Sequence, residues 1–259
     1  MAPPAALSIE NIAVHFGGLV ALSDMTFTVG EGEIVSLIGP NGAGKTTAFN
    51  VMTGFLNATH GAVSYHGKSL NGLKPHQIAD LGLIRTFQRT SVFPNDTVHD
   101  NLLIGLHRQG QHSLLQAILG LPRARASEAR LRQRAAELVE WVGLGRRAGD
   151  LAGSLSYGEQ RLVGVALALA AEPSMLLLDE PVSGMNASET HTFVHLVRKI
   201  RDHGVTILLV EHDMPMVMSV SDRIVVLNYG RIIAEGPPEA IRNDPAVIEA
   251  YLGQGAKHA

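Results

Sequence analysis

A glycine-rich segment, GPNGAGKT at residues 39–46, constrains this chain more than any other feature. It fits the pattern G-x-x-x-x-G-K-[ST], and it lies between an apolar run at residues 34–38 and a helical pattern that continues to Met52. Glycines let backbone N–H groups converge on phosphate oxygens, and the helix start adds the positive end of its dipole. In such a loop Lys45 reaches the β- and γ-phosphates, and the Thr46 hydroxyl is a ligand for Mg²⁺. The segment therefore predicts a strand, a phosphate-binding loop and a helix.

Two adjacent carboxylates end a second apolar run, MLLLDE at residues 175–180. Successive residues of a strand face opposite ways, so Asp179 and Glu180 need not share a role. One can join the magnesium shell while the other orients or deprotonates an attacking water. Downstream of a phosphate-binding loop, the pair predicts the second half of a site that hydrolyses a nucleoside triphosphate.

The segment LSYGEQ, residues 155–160, contains the capping-box pattern Ser156-x-x-Glu159. It predicts the start of a helix that runs through Ala171. A helix start carries N–H groups without partners in the helix, so the same residues can also form an anion site.

Short apolar runs alternate with helical patterns on both sides of a helical middle segment. Strands are expected at residues 7–16, 25–29, 34–38, 62–66, 175–178, 205–210, 224–227 and 232–234, with a hairpin turn at 228–230. Helices are expected at residues 188–203 and 214–220, and short helices at 237–252. Residues 90–154 have helical spacing and no strand signal. Strands that alternate with helices imply an α/β fold with a parallel sheet.

Composition excludes several classes of function. There is no cysteine, which excludes disulfides, thiol catalysis and Cys-ligated metals. The net charge is −3, so the chain lacks the excess of basic residues that nucleic-acid binding requires. The longest apolar run, residues 163–171, is shorter than the roughly 18–20 residues that cross a bilayer. The first residues, MAPPAALSIE, lack the features of a secretory signal. A globular chain with no nucleic-acid partner is expected.

In this order, the motifs resemble those of the ATP-binding subunit of ATP-binding cassette (ABC) transporters, over residues 7–252. GPNGAGKTT is similar to the Walker A loop, LLLDEP to the Walker B strand and LSYGEQ to the signature motif. By the same resemblance, Gln88 in IRTFQRT matches the Q-loop glutamine and His212 in VEHD the switch histidine. Residues 183–186 occupy the position of the D-loop.

The resemblance implies a P-loop NTPase of the ABC type. Its mostly parallel sheet would be joined by an antiparallel β subdomain and an inserted helical subdomain. The nucleotide-binding core would comprise residues 1–89 and 155–236, the helical insert residues 90–154 and the C-terminal helical tail residues 237–259. FGGLVALSD, IRTFQ and the tail IRNDPAVIEAYLG are similar to the LivG-like family of branched-chain and hydrophobic amino-acid importers.

The resemblance also assigns roles in the hydrolysis of ATP. Lys45 and the loop amides would stabilise the transferring phosphoryl group, Glu180 would polarise the attacking water, and His212 would support the γ-phosphate and Glu180. Mg²⁺ would be held by Thr46, with Gln88 and Asp179 in or near its shell.

The nucleotide itself would contact an aromatic residue, the loop and a second subunit. Phe16 falls where an aromatic ring stacks on adenine, and Ser156 and Gly158 of a second ATPase subunit would close the site over the γ-phosphate. The remaining contacts would come from the loop: Gly39, Pro40, Asn41, Gly42, Ala43, Gly44, Lys45, Thr46 and Thr47.

Three residues depart from the family pattern. Tyr157 replaces the first glycine of the usual signature pair, Asn186 stands where a D-loop aspartate is usual, and Phe16 lacks the hydroxyl of the commoner tyrosine. Stacking needs only the ring, and none of the three changes removes a catalytic group. The Asn186 change bears on communication between the two ATP sites.

The function that follows from the resemblance is an ATPase subunit of an importer for branched-chain or related hydrophobic amino acids. Its partners would be a second ATPase subunit, for which a paralogue is favoured over an identical copy, integral membrane permeases and, indirectly, a periplasmic binding protein. It would lie peripherally on the cytoplasmic face of a bacterial inner membrane. Two alternatives remain open: another cargo (urea, amides, aromatic acids or lipopolysaccharide), and a soluble ABC ATPase of an assembly complex.

Overall fold

The strands in the described part of this protein form two sheets. The computed structural model describes residues 5–86, 92–106 and 122–255. The first sheet is antiparallel and has four strands in the order β2-β1-β4-β5. Its strands are β1 (Ala5–Phe16), β2 (Leu19–Gly30), β4 (His60–Tyr65) and β5 (Lys68–Ser69).

The second sheet has six strands in the order β10-β9-β3-β8-β7-β6. They are β3 (Ile34–Ile38), β6 (Leu83–Arg85), β7 (Met175–Asp179), β8 (Thr206–Val210), β9 (Arg223–Asn228) and β10 (Arg231–Gly236). All of its pairs are parallel except that of β9 with β10. Every residue of β3, β7 and β8 is buried, as expected for parallel strands covered on both faces. The predicted α/β fold with a mostly parallel sheet is confirmed.

The described helices follow the predicted patterns closely. They are α1 (Lys45–Met52), α2 (Pro75–Asp80), α3 (Val98–Leu106), α4 (Pro122–Trp141), α5 (Tyr157–Leu169), α6 (Ala187–Asp202), α7 (Met214–Val220), α8 (Pro238–Arg242) and α9 (Pro245–Gly255). Two 3₁₀ turns lie at Gly145–Arg147 and Ala152–Ser154. Across the ranges that the structure describes, no helix combines the length and the apolar character needed to span a bilayer.

The structure differs from the sequence expectations mainly in three places. Strand β2 begins at Leu19, six residues before the predicted start at residue 25. Helix α5 ends at Leu169 instead of Ala171, because the N–H groups of Ala171 and Glu172 bond to carbonyl groups three residues back, at 3.2 and 2.9 Å, instead of four. Residues 68–85 also contain β5, α2 and β6, which the sequence analysis did not predict. These elements are two, six and three residues long, shorter than the window over which periodicity is detectable.

The chain divides into two compact units. The first comprises the described parts of Met1–Arg85, Ser174–Ser183 and Thr190–Ala259 and holds both sheets; the second comprises the described parts of Thr86–Pro173 and Gly184–Glu189. In the first unit, large buried side chains such as Phe49 and Tyr65 form the core with the sheet residues. In the second, α3 packs against α4 and α5, and buried Leu102 and Val163 belong to its apolar interior.

A bidentate ion pair joins the start of β3 to the start of β9. The Arg223 Nε and Nη2 atoms lie 2.8 Å from the two carboxylate oxygens of Glu33. Burial alone would raise the pKa of Glu33. The hydrogen bonds from Arg223 and the Gly30 N–H, together with the Arg223 charge, outweigh burial and lower that pKa below its usual value.

Because the pKa of Glu33 is lowered in the folded protein, the pair stabilises the fold above the unfolded-state pKa, about 4.3. That stabilisation is lost as the pH falls through the folded-state pKa. We expect Glu33→Gln to lower the free energy of unfolding by about 1–3 kcal/mol at pH 7. The difference from wild type, measured by urea unfolding, should shrink below pH 4.3. Exposed Glu10→Gln is the control; an E33Q deficit that persists undiminished at pH 3 would contradict the assignment.

Candidate active site

The glycine-rich loop connects β3 to α1, as predicted, and three of its glycines have positive φ: Gly39 (154°), Gly42 (79°) and Gly44 (106°). A Cβ on Gly39 would lie 2.0 Å from the carbonyl oxygen of Leu227, and one on Gly44 would lie 2.8 Å from that of Ala21. Neighbouring backbone therefore leaves no room for a side chain at either position. Only glycine allows the chain to turn here directly from the strand into the helix.

Lys45 is buried at the first position of α1. Its Nζ donates hydrogen bonds to the carbonyl oxygens of Gly39, at 2.7 Å, and Pro40, at 2.9 Å. Burial lowers the pKa of Lys45, and the negative charge of Glu180 acts in the opposite direction. The ammonium is thus held by two neutral acceptors, which phosphate oxygens can replace.

A cavity of about 440 Å³ lies over this loop. Its wall brings together most of the residues that the sequence predicted to act on the nucleotide, including the half-exposed ring of Phe16. The lining residues are Phe16, Leu19, Val20, Ala21, Asn41, Gly42, Ala43, Gly44, Lys45, Thr46, Thr47, Glu180, His212 and Tyr229. Gly39 and Pro40 are not on the wall; their carbonyl groups bind Lys45 instead.

Glu180 and His212 form a hydrogen-bonded pair at the edge of the cavity. The His212 Nε2 atom lies 2.8 Å from a carboxylate oxygen of Glu180. Glu180 has a φ of 46°, which is rare for a residue other than glycine, and its N–H donates to the carbonyl of Val210 at 2.9 Å. This strained backbone conformation comes directly after β7, which ends at Asp179.

Two functional neighbours were missed by the sequence analysis. Glu211 is buried, and its carboxylate accepts hydrogen bonds from the N–H groups of Val182 and His212, both at 2.8 Å. Glu211 therefore holds the backbone in place two residues after Glu180 and at His212 itself. Tyr229, at the turn between β9 and β10, is 72% exposed on the cavity wall. The sequence marks it only as a turn residue, because its proximity to the loop follows from the pairing of β3 with β9.

Asp179 binds an arginine that the sequence analysis also missed. Its Oδ2 accepts a hydrogen bond of 2.7 Å from Nη2 of Arg85, and both side chains are 9% exposed. The Arg85 Nη1 donates to Asn50 Oδ1 at 2.8 Å, and the guanidinium lies 5.5 Å from the centre of the Phe49 ring. Arg85 lies on a strand of three residues, which has no recognisable sequence pattern.

The signature segment has the local structure that the capping box predicts. The Ser156 Oγ accepts from the N–H of Glu159 at 3.2 Å, and the Glu159 carboxylate accepts from the N–H of Ser156 at 2.8 Å. A hydrogen bond from Arg147 is the main cause that lowers the pKa of Glu159. The Ser156 hydroxyl also donates to Glu189 at 3.0 Å.

Two of the departures from the family pattern have direct structural partners in the second unit. The Tyr157 hydroxyl accepts a hydrogen bond of 2.6 Å from Arg161, whose guanidinium lies over the Tyr157 ring. Asn186 Oδ1 accepts from the N–H groups of Ser188 and Glu189, both at 3.0 Å. Asn186 therefore caps the start of α6, as an aspartate would. Gln88 lies outside the described residues.

Comparison with known proteins decides the family. A family model described as "ABC transporter" matches residues 22–183, more than half of the chain. The chain belongs to the ABC transporter family. It is an ATP-binding cassette, the ATPase component whose hydrolysis of ATP is coupled to transport. A second model, "Branched-chain amino acid ATP-binding cassette transporter", matches residues 231–257 of the cassette.

Individual relatives agree with this assignment. The cassette is 44% identical to the high-affinity branched-chain amino acid transport ATP-binding protein LivG of Escherichia coli (strain K12), over 96% of this chain and 98% of LivG. The cassette also resembles the solved structure of the ADP conformation of MJ1267, an ATP-binding cassette of an ABC transporter, with a TM-score of 0.85 and 33% sequence identity. The match covers 96% of this chain and 99% of the MJ1267 chain. The dimeric structure of the bacterial cassette MJ0796 matches with a TM-score of 0.74 and 25% sequence identity, over 90% of this chain and 98% of the MJ0796 chain.

The Arg85–Asp179 pair gives a prediction about stability. Replacing Arg85 alone leaves a buried carboxylate without its charged partner, so we expect Arg85→Met to lower the free energy of unfolding by about 3–5 kcal/mol. Adding Asp179→Asn removes the orphaned charge and should restore part of the loss. Urea unfolding of the single and double variants at pH 7 measures both effects, and wild-type stability in R85M would contradict the importance of the pair.

Proposed function

We propose that this cassette hydrolyses ATP at the cavity over the glycine-rich loop to energise the import of branched-chain or related hydrophobic amino acids. The observation that carries the proposal is the convergence of Lys45, Glu180 and His212 on that one cavity. These residues follow or lie near the carboxyl ends of three neighbouring parallel strands, β3, β7 and β8, where ligands bind in open α/β sheets. The match of residues 231–257 and the likeness to LivG support the cargo class.

The nucleotide would bind along the cavity from Phe16 to the loop. The half-exposed ring of Phe16 would stack on the adenine, with Tyr229 on the same wall. The N–H groups of the loop and of the first turn of α1 would receive the phosphates. Lys45 would exchange its bonds to the Gly39 and Pro40 carbonyls for phosphate oxygens and would balance charge on the transferring group.

Glu180 and His212 would act on the attacking water. The carboxylate of Glu180 would accept a hydrogen bond from the water and orient it in line with the γ-phosphate. His212, already 2.8 Å from that carboxylate, would hold it in place and reach the γ-phosphate. Phosphoryl transfer leaves the protein little covalent chemistry, so positioning and charge stabilisation account for the rate.

The residues present fit Mg²⁺. Thr46 is exposed in the first turn of α1 and lines the cavity with the Glu180 carboxylate, and hard oxygen donors of this kind, with substrate phosphates, suit this ion. Thr46 would hold it, with Asp179 and Gln88 in or near its shell. When bound, Mg²⁺ would neutralise negative charge on the phosphates.

A second cassette would complete the site. Ser156 and Gly158 of that subunit would contribute donors to the γ-phosphate from the start of α5. A Cβ on Gly158 would lie 2.7 Å from the Glu189 carboxylate, so a side chain at this position would require the Glu189 side chain to move. The dimeric form of MJ0796 supports such pairing in this fold.

We propose a paralogue as the second cassette, integral membrane permeases as further partners and a periplasmic binding protein as the source of cargo. The assembly would lie on the cytoplasmic face of the inner membrane.

Glu180→Gln tests the role in hydrolysis. The amide keeps the shape of the side chain and removes its basicity, so turnover should fall by about 10²–10⁴ while MgATP binding is retained. Turnover is measured by phosphate release from the assembled transporter, and binding by calorimetry. The ATP-bound dimer should also persist longer, which size-exclusion chromatography detects. Exposed Glu10→Gln should match wild type; full turnover in E180Q would remove Glu180 from this role.

Isolation of the native assembly tests the transport role and the cargo. A tagged cassette should co-purify with integral membrane permeases, and reconstituted ATPase activity should rise with a leucine-loaded binding protein. Lys45→Ala, which removes the phosphate-binding ammonium, is the inactive control. Stimulation by urea or aromatic acids in place of leucine would contradict the cargo class, and recovery of soluble partners alone would contradict the transport role.

A further inference from the structure

The buried carboxylate of Glu211 contacts both segments that carry the Glu180–His212 pair. Glu211 is 3% exposed and directly follows β8. Its Oε1 accepts a hydrogen bond from the N–H of Val182, and its Oε2 accepts one from the N–H of His212, both at 2.8 Å. The N–H of Asp213 donates to the same Oε2 at 3.3 Å. One side chain therefore holds the backbone that follows β7 and the backbone that follows β8.

The backbone of Glu180 has a conformation that needs such support. Its φ of 46° lies in the left-handed region, which residues other than glycine seldom adopt. A strained conformation of this kind persists only where the surrounding structure holds it. Here the N–H of Glu180 donates to the carbonyl of Val210 at 2.9 Å, and two residues later the N–H of Val182 donates to Glu211. The strained turn is thus fixed at two points to the segment that carries His212.

The three N–H groups require an acceptor at both oxygens of the side chain at position 211. An ionised carboxylate meets this requirement, because it carries no donor and its charge strengthens each hydrogen bond. The amide of a glutamine would present its NH₂ group to the N–H of either Val182 or His212. A glutamine would therefore fill the same space and release one of the two segments.

We propose that Glu211 is a positioning residue for the hydrolysis of ATP, whose carboxylate keeps Glu180 in its strained turn and His212 against it. The 2.8 Å contact between His212 Nε2 and the Glu180 carboxylate depends on the backbone position of both residues. A displacement of about 1 Å in a catalytic group can lower a rate by about 10²-fold. Glu211 is not on the cavity wall, so it acts through the pair and not on the nucleotide. This inference rests on the proposed hydrolysis at that pair.

Glu211→Gln tests this role, because it keeps the size of the side chain and removes its charge. Since one of the two segments is released, kcat should fall by about 10- to 100-fold, measured by phosphate release from the assembled transporter. The loop around Lys45 is untouched, so KM and the affinity for MgATP, measured by calorimetry, should stay at their wild-type values. A loss of kcat at constant KM is the result expected when only the transition state loses stabilisation.

Glu33→Gln is the matched control for a loss of stability. It also replaces a hydrogen-bonded carboxylate by an amide, but Glu33 lies just before β3, at the opposite end of that strand from the site. Both variants should unfold at a lower urea concentration than wild type, and only E211Q should lose kcat. An equal loss of kcat in E33Q, or wild-type kcat in E211Q, would overturn the inference. If wild type itself does not hydrolyse ATP, the proposed function is wrong.

Glu211→Asp is a second variant for the case in which E211Q does not fold. It keeps the charge but is one methylene shorter, so it cannot reach Val182 and His212 together without a shift, and kcat should again fall, by about tenfold. The ¹⁵N nuclear magnetic resonance signal of His212 Nε2 reports the contact with Glu180 without turnover. It should move in whichever variant folds and stay in place in E33Q; an unmoved signal would contradict the positioning role.

Discussion

The close approach of backbone segments around the glycine-rich loop is the constraint on which this structure depends. The carbonyl oxygens of Leu227 and Ala21 lie only 2.0 and 2.8 Å from the positions that Cβ atoms on Gly39 and Gly44 would take. The turn from β3 into α1 therefore fits only without side chains. Because it fits, the first residues of α1 line the cavity, and the buried Lys45 is one of them. Other parts of the site are arranged around that turn.

Charged groups near the loop are satisfied within the protein. The Lys45 ammonium donates hydrogen bonds to two carbonyl groups, the Asp179 carboxylate accepts one from Arg85, and the Glu211 carboxylate accepts from backbone N–H groups. A buried charge without such partners is strongly destabilising, so these contacts determine where charge can be kept. The arrangement leaves the Glu180–His212 pair on the cavity wall, where a substrate can meet it.

The departures from the family pattern are accommodated by local chemistry. Asn186 caps α6 with the same geometry that an aspartate offers, and Tyr157 packs on Arg161 with its hydroxyl bonded to the guanidinium. The start of α5 keeps its capping box beside this substitution. Both substituted side chains have polar partners nearby, and the signature segment has its capped helix start.

The sequence by itself determined the elements whose information is local. Spacing within a few residues predicts each of these elements, and the structure has them in the predicted places. They are the loop of residues 39–46, the apolar strands β3, β7 and β8, the turn at residues 228–230 and the capping box at Ser156.

The tertiary structure decided what depends on pairing between distant segments. Arg85 meets Asp179 because β6 lies beside β7, and Tyr229 lines the cavity over the loop because β9 lies beside β3. Such contacts join residues far apart in the chain, and no periodicity or local propensity encodes which side chains the folded sheet will bring together.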